Sequence, residues 1–154
     1  MDAYTTALTL LSRRELSTRQ LRDRLAKRQF AAAEIDDVIR RLLHDGTLDD
    51  RRVAIACART DATVKRHGRR RVLQHVQRLG ISVEVAQGAV DEVFGDVDEQ
   101  SLLEAALERR LRGSDVRTLD ARAKARLVRH LVARGFEPAH VFARLRKRGA
   151  DIDE

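Results

Sequence analysis

The side chains best placed to do chemistry in this chain are cations, in the run Lys65-Arg66-His67-Gly68-Arg69-Arg70-Arg71. The run brackets a glycine and leads into a helix start. Main-chain N–H groups and guanidinium forks there would hold a phosphate or a carboxylate. Two weaker clusters share its character: Arg19, Arg22, Arg24, Lys27 and Arg28, and Arg122, Lys124, Arg126, Arg129 and Arg134. From these we take Arg22, Arg24, Lys27, Lys65, Arg66, Arg69, Arg70, Arg71, Lys124, Arg126 and Arg129 as candidate contacts to a polyanionic partner or DNA. The competing reading is a solvated charged surface.

Other chemistry finds less support. The histidines His44, His67, His75, His130 and His140 form no His-Glu-x-x-His run and have no second cysteine beside them, so spacing predicts no metal site. His67 and His75 read as solvated members of the basic surface. The eight glycines are isolated and build no phosphate loop. Asp49, Asp50 and Asp61 come closest to an acid cluster; the first two read as a helix cap, Asp61 as an exposed helix position. No catalytic residue, cofactor or metal is expected. The aromatics Tyr4, Phe30, Phe94, Phe136 and Phe142 sit on apolar stripes or at junctions, which suits core packing better than base stacking. Nucleic-acid affinity would therefore be phosphate-directed and fall steeply with salt.

These cations must be carried by helices. Apolar residues recur at helical spacing throughout, and no segment alternates with period two for long enough to make a strand. One phrase returns three times: Leu21-x3-Leu25-x4-Phe30, Val72-x3-Val76-x4-Ile81 and Leu127-x3-Leu131-x4-Phe136, at separations of 51 and 55 residues. A period near 50 marks an array of helical units, which tends to bind along a face. The first unit reads as a face of Tyr4, Ala7, Leu8 and Leu11, a helix capped by Ser17 with Gln20 and ending near Gln29, and a stripe of Ile35, Val38, Ile39 and Leu42 closed by Gly46. The second begins at Asp49 or Asp50, runs through Val53, Ala54, Cys57 and Val64, breaks at Gly68, and continues with Val72, Val76 and Leu79. Its last helix is capped by Ser82 and ends at Gly95. The third carries Leu102, Leu103, Ala106 and Leu107, a linker from Gly113 to Leu119 longer than a tight turn, a helix capped by Asp120, and a last helix opened by Pro138 with Phe142 and Leu145 on its apolar face. The expectation is an all-α, elongated tandem array of nine helices in three three-helix repeats, 1–47, 48–96 and 97–150, with 151–154 a frayed acidic tail.

Composition fits that picture. The 154 residues are 36% charged and 3% aromatic, without Trp, so the core must come from small aliphatic side chains. The net charge of +7 is uneven: residues 1–50 balance 9 cations against 9 acids, 51–95 hold 9 against 4, and 96–154 hold 13 against 11. A basic middle favours a polyanionic partner. The lone Cys57 excludes an internal disulfide, reads as a buried small hydrophobe, and points to a reducing cytoplasm. No apolar stretch approaches the ~20 residues of a membrane span, and Met1-Asp2-Ala3-Tyr4 has no basic leader.

Taken together the phrases resemble the RecX family of regulators of the RecA recombinase. Ala7-Leu8-x2-Leu11-x2-Arg14-Glu15-Leu16-Ser17-x2-Gln20-Leu21-x3-Leu25 is similar to the family's opening. Gly46-Thr47-Leu48-Asp49-Asp50-Arg51-Arg52-Val53-Ala54 is similar to its most characteristic phrase, and Gly68-x3-Val72-x3-Val76-x3-Gly80-Ile81 to its central helix. Two residues depart from the pattern: Val53 stands where the family usually has Phe or Tyr, and Gln29 where the other units have Gly80 and Gly135. The resemblance implies a non-enzymatic, monomeric cytoplasmic protein that lies along the RecA filament on single-stranded DNA and modulates or inhibits it. It would thereby regulate repair, recombination and the SOS response. The alternative is a helix-turn-helix-like DNA-binding module acting through phosphates. Against it, the third helices carry Glu34, Asp36, Asp37, Glu84, Asp91 and Glu92.

Overall fold

A computed structural model describes residues 1–154. It contains nine α-helices and no strand: α1 Ala3–Arg13, α2 Thr18–Lys27, α3 Ala32–His44, α4 Asp50–Thr63, α5 Arg69–Arg78, α6 Val83–Asp96, α7 Glu99–Leu111, α8 Ala121–Ala133 and α9 Pro138–Lys147. The helix starts follow local chemistry. Ser17 makes a full capping box with Gln20, and Asp2, Asp49, Ser82, Asp98 and Asp120 each accept a main-chain N–H of the helix they open. The linker before α8 holds one 3-10 turn, Val116–Thr118, which buries Val116.

Every helix pair in substantial contact lies within one group of three. Each group closes its own core. The first spans Ala3 to Leu48, the second Val53 to Val93, the third Leu103 to Ala150. Leu48 is thus buried against the first group, although by sequence it opens the second repeat. The surface area is 9260 Å², against about 7,900 Å² for a compact monomer of this mass. That excess is what three small cores in a row would give.

The repeated phrase forms the heart of each core. Leu21, Leu25, Val72, Val76, Ile81, Leu127, Leu131 and Phe136 are all buried, and Phe30 is partly so. Fully burying such aliphatic or aromatic side chains contributes about 1.5–3 kcal/mol each. Four expectations fail at the margins. The buried face of α1 is Ala3, Thr6, Ala7 and Leu10, one position round from Tyr4, Leu8 and Leu11, because α2 and α3 pack against that side. Val64 is 73% exposed, since α4 ends before it. Gly95 lies inside the last turn of α6 and does not end it. On α9 the buried face is Val141 and Leu145, with Phe142 only partly covered.

The groups meet through their middle helices, end to end. The Ser17 hydroxyl at the start of α2 donates to Leu79 O at the end of α5, 2.5 Å away. Likewise Gly68 N and Arg70 N at the start of α5 donate to Arg134 O (2.8 Å) and Gly135 O (3.1 Å) at the end of α8. At the α5–α8 joint the orphan N–H groups of one helix are thus met by the orphan carbonyls of the next, and at both joints the positive and negative ends of two helix dipoles face each other. Asp50 reinforces the first joint by accepting from Thr18 N at 2.7 Å.

The glycines of the phrase belong to these joints. Gly135 has φ +101°, and a β-carbon there would stand 2.5 Å from Arg71 Cβ. Gly68 has ordinary dihedrals, but a β-carbon would stand 2.5 Å from the carbonyl carbon of Gly135. Gln29 holds the same left-handed backbone, φ 66°, at the end of α2, where no further unit docks.

Candidate polyanion-binding cleft

The predicted cations do not form one surface. Arg22 pairs with Asp36 on α3, and Arg69 with Asp91 on α6, so both are held within their own group. Arg24 and Lys27 make no ion pair and lie outside every cleft described below, Arg24 half-buried and Lys27 exposed. Lys65 Nζ lies 3.2 Å from Asp61 Oδ1. Arg70 Nε lies 3.8 Å from Glu137, and Arg71 Nη1 donates to Ala133 O at 3.4 Å, so both reach across to the third group. Lys124 Nζ donates to Asp151 O at 3.1 Å, and Arg129 lines a shallow apolar cleft beside it with Phe142 and Ile152. Much of the Lys65–Arg71 run therefore works as an inter-unit joint.

Arg66 is different. It lines a cleft of about 550 Å³ with Arg109, Arg110 and Arg112 from the end of α7, and His130 and Arg134 from α8. Ala105 and Ala106 form the remaining wall. No carboxylate lines it. The acids nearest in sequence are engaged elsewhere: Glu104 and Glu108 pair with Arg148 on the α9 side of α7, and Asp115 forms a fork with Arg117 that holds its carboxyl down to about 2. The mutual repulsion is visible in the titrating groups. His130 is held below the ordinary imidazole value by burial, then by the charges of Arg110 and Arg134. Arg134 is lowered by burial, then by Arg71 and Arg109.

Two of these arginines also sit in costly backbone. Arg66 has φ 59° and Arg112 φ 52°; with Gln29 they are the chain's only non-glycine residues at positive φ. Each such residue costs about 1–2 kcal/mol. Arg134 fixes the first by donating from Nη2 to Lys65 O (2.7 Å) and Arg66 O (3.3 Å). A second cavity of about 250 Å³ shares Arg110 and is lined by Arg126 together with Ser114 and the apolar Leu111, Leu119 and Leu127. Thus Arg66 and Arg126 of the predicted set border this groove. Arg109, Arg110, Arg112 and His130 are additions that only the fold reveals. The sequence signal was Arg109-Arg110-x-Arg112-Gly113, which reads as favourable charge at a helix C-terminus.

A second cluster lies at the joint of the first two groups. Asp61 is 1% exposed rather than exposed as its sequence position implied, because α4 turns it onto α5. Its Oδ2 lies 2.6 Å from His75 Nδ1, which in turn is 3.5 Å from Cys57 Sγ. Burial and the Asp61 charge push the Cys57 thiol up to about 11. These three side chains form the one grouping of potential metal ligands, with ligating atoms within 4.8 Å of each other. His75 is therefore a partner of a buried acid, not a solvated surface group. Lys65 and His75 together compensate the Asp61 carboxylate.

Residues 3–42 match the family model described as RecX, first three-helix domain. Over 138 residues, 88% of each chain, the sequence is 33% identical to the regulatory protein RecX of Trichlorobacter lovleyi. The chain belongs to the RecX family. The RecX of Treponema pallidum strain Nichols is 34% identical over 141 residues, covering 91% of this chain and 81% of its own. The crystal structure of RecX from Lactobacillus salivarius superposes with a TM-score of 0.80 at 18% identity, over 96% of this chain and 94% of the other, and so shares the fold. These relatives are named regulatory proteins, not enzymes. No helix is long and apolar enough to cross a membrane.

Proposed function

We propose that this chain is a cytoplasmic, monomeric regulator that binds the RecA recombinase filament on single-stranded DNA and restrains its activity by occupation. The observation that carries this reading is kinship to RecX regulatory proteins along 88% of the chain. Three cores in series, joined end to end by hydrogen bonds, suit a long partner better than a pocket ligand. The exposed Glu34, Asp36 and Asp37 on α3, and Glu84, Asp91 and Glu92 on α6, disfavour a helix-turn-helix reader, whose third helix would face phosphates. The direct test is ATP hydrolysis by the recombinase on single-stranded DNA at low salt. Stoichiometric addition of this protein should slow it; an unchanged rate in excess would remove the reading.

A further inference from the structure

We infer that the cleft between α7 and α8 is a seat for the phosphate backbone of a nucleic-acid strand, which runs on along the groove past Arg110 to Arg126. This deepens the filament reading, on which the biological identity of the strand rests. Four observations converge. Five guanidiniums border one cleft without a carboxylate, and none of them takes part in an ion pair, although the chain pairs many of its other arginines. The cavity beyond, which shares Arg110, makes the site longer than a single anion. Arg66 and Arg112 hold positive φ where glycine or asparagine would fold more easily. Backbone cost retained at a surface site is a sign of function.

The chemistry of the walls selects the ligand. Guanidinium forks match phosphate oxygens and stay charged at any working pH. Apart from His130, the only other lining of the main cleft is Ala105 and Ala106. An acidic peptide would also need partners for its amides and intervening side chains, and the walls of the main cleft offer none. A phosphate backbone is uniformly charged and needs nothing more. With no aromatic platform in the lining, binding should be blind to base identity.

The test is fluorescence anisotropy of a labelled oligothymidine with the full chain and no recombinase, over a salt series. The key variant is Arg66→Asn/Arg112→Asn, which removes two charges yet relieves two left-handed backbones. Its affinity should fall at least tenfold at low salt, its slope of log K against log salt should shrink by about 1.4, and its Tm should not drop. Arg40→Gln/Arg146→Gln, equally charge-depleted but outside the groove, should bind like the parent. If the key variant melts lower, Arg109→Gln/Arg110→Gln takes its place with the same expected loss. The proposal is overturned if the parent fails to bind the oligonucleotide. It is also overturned if the cleft variant binds as the parent does, if the control loses as much, or if the variant keeps its oligothymidine affinity and loses only that for polyglutamate, run beside it as the acidic-peptide probe. Running the recombinase assay in parallel separates the two readings. Inhibition without DNA binding removes the cleft and keeps the filament; cleft-dependent binding without inhibition does the reverse.

Discussion

Replacing Gly135 by Ala probes the joint on which the second and third groups depend. The residue has φ +101°, and an added β-carbon would stand 2.5 Å from Arg71 Cβ, 2.6 Å from Arg71 N and 2.7 Å from Gly68 O. The left-handed backbone alone costs an alanine about 1–2 kcal/mol. Relief of the clash must part α5 from α8, at about 1–3 kcal/mol for overpacking, and weaken the bonds from Gly68 N and Arg70 N, each contributing about 1 kcal/mol. A loss of about 3–5 kcal/mol follows, or roughly 10 °C in Tm for a chain of this size. Gly46→Ala is the internal control, since Gly46 has φ +79° with nothing within 4 Å of the added carbon. It should lose only the backbone part, about 1–2 kcal/mol. Urea unfolding followed by far-ultraviolet circular dichroism reads both, and amide hydrogen exchange should rise at Gly68 and Arg70 only in Gly135→Ala. Equal losses in the two variants would refute the joint.

Gln29→Gly should stabilise by about 0.5–1 kcal/mol, because it relieves φ 66° at a helix end with no docked neighbour; a lower urea midpoint would show that the glutamine side chain matters instead. Asp61→Ala should cost about 1–3 kcal/mol by removing the buried acceptor that His75 and Lys65 share at the edge of solvent. A double-mutant cycle with His75→Ala should then couple by at least about 1 kcal/mol, whereas additive losses would deny the pair. Stability should fall as pH drops below about 6.5, the ordinary imidazole value. His67 is held lower first by burial, then by Arg71 and Arg134, and His130 first by burial, then by Arg110 and Arg134. The unfolded chain therefore binds protons that the folded chain refuses, so the loss begins at the unfolded pKa and levels off below the folded ones. Thermal melts from pH 7.5 to 5.5 should show it, and His67→Gln/His130→Gln should flatten the profile.

How much of this was legible in the sequence depended on range. Ser17 with Gln20 announced its helix start because a capping box is closed within four residues. Ile35, Val38, Ile39 and Leu42 announced a buried stripe because each helix face is periodic. The α1 face was misplaced by one position because Tyr4 and Leu8 are apolar yet lie at the edge of the stripe, and only the neighbouring helices decide which edge is covered. The arginine cleft was out of reach. Its members come from a loop before α5 and from the ends of α7 and α8, and what defines it is the absence of acids from one side of α7. The partnership of Asp61 with His75 was hidden similarly: each residue alone read as solvated surface, and fourteen positions separate them.

Gln29 gives the array an end. Where another unit docks, the helix terminus carries a glycine whose missing β-carbon leaves room for Arg19 or Arg71 of the incoming start. At the close of α2 the same left-handed position holds Gln29, exposed and with no helix start seated on it. A side chain there would have to move aside before a helix start could approach as closely as those at Gly80 and Gly135 do, which works against end-to-end stacking of separate copies.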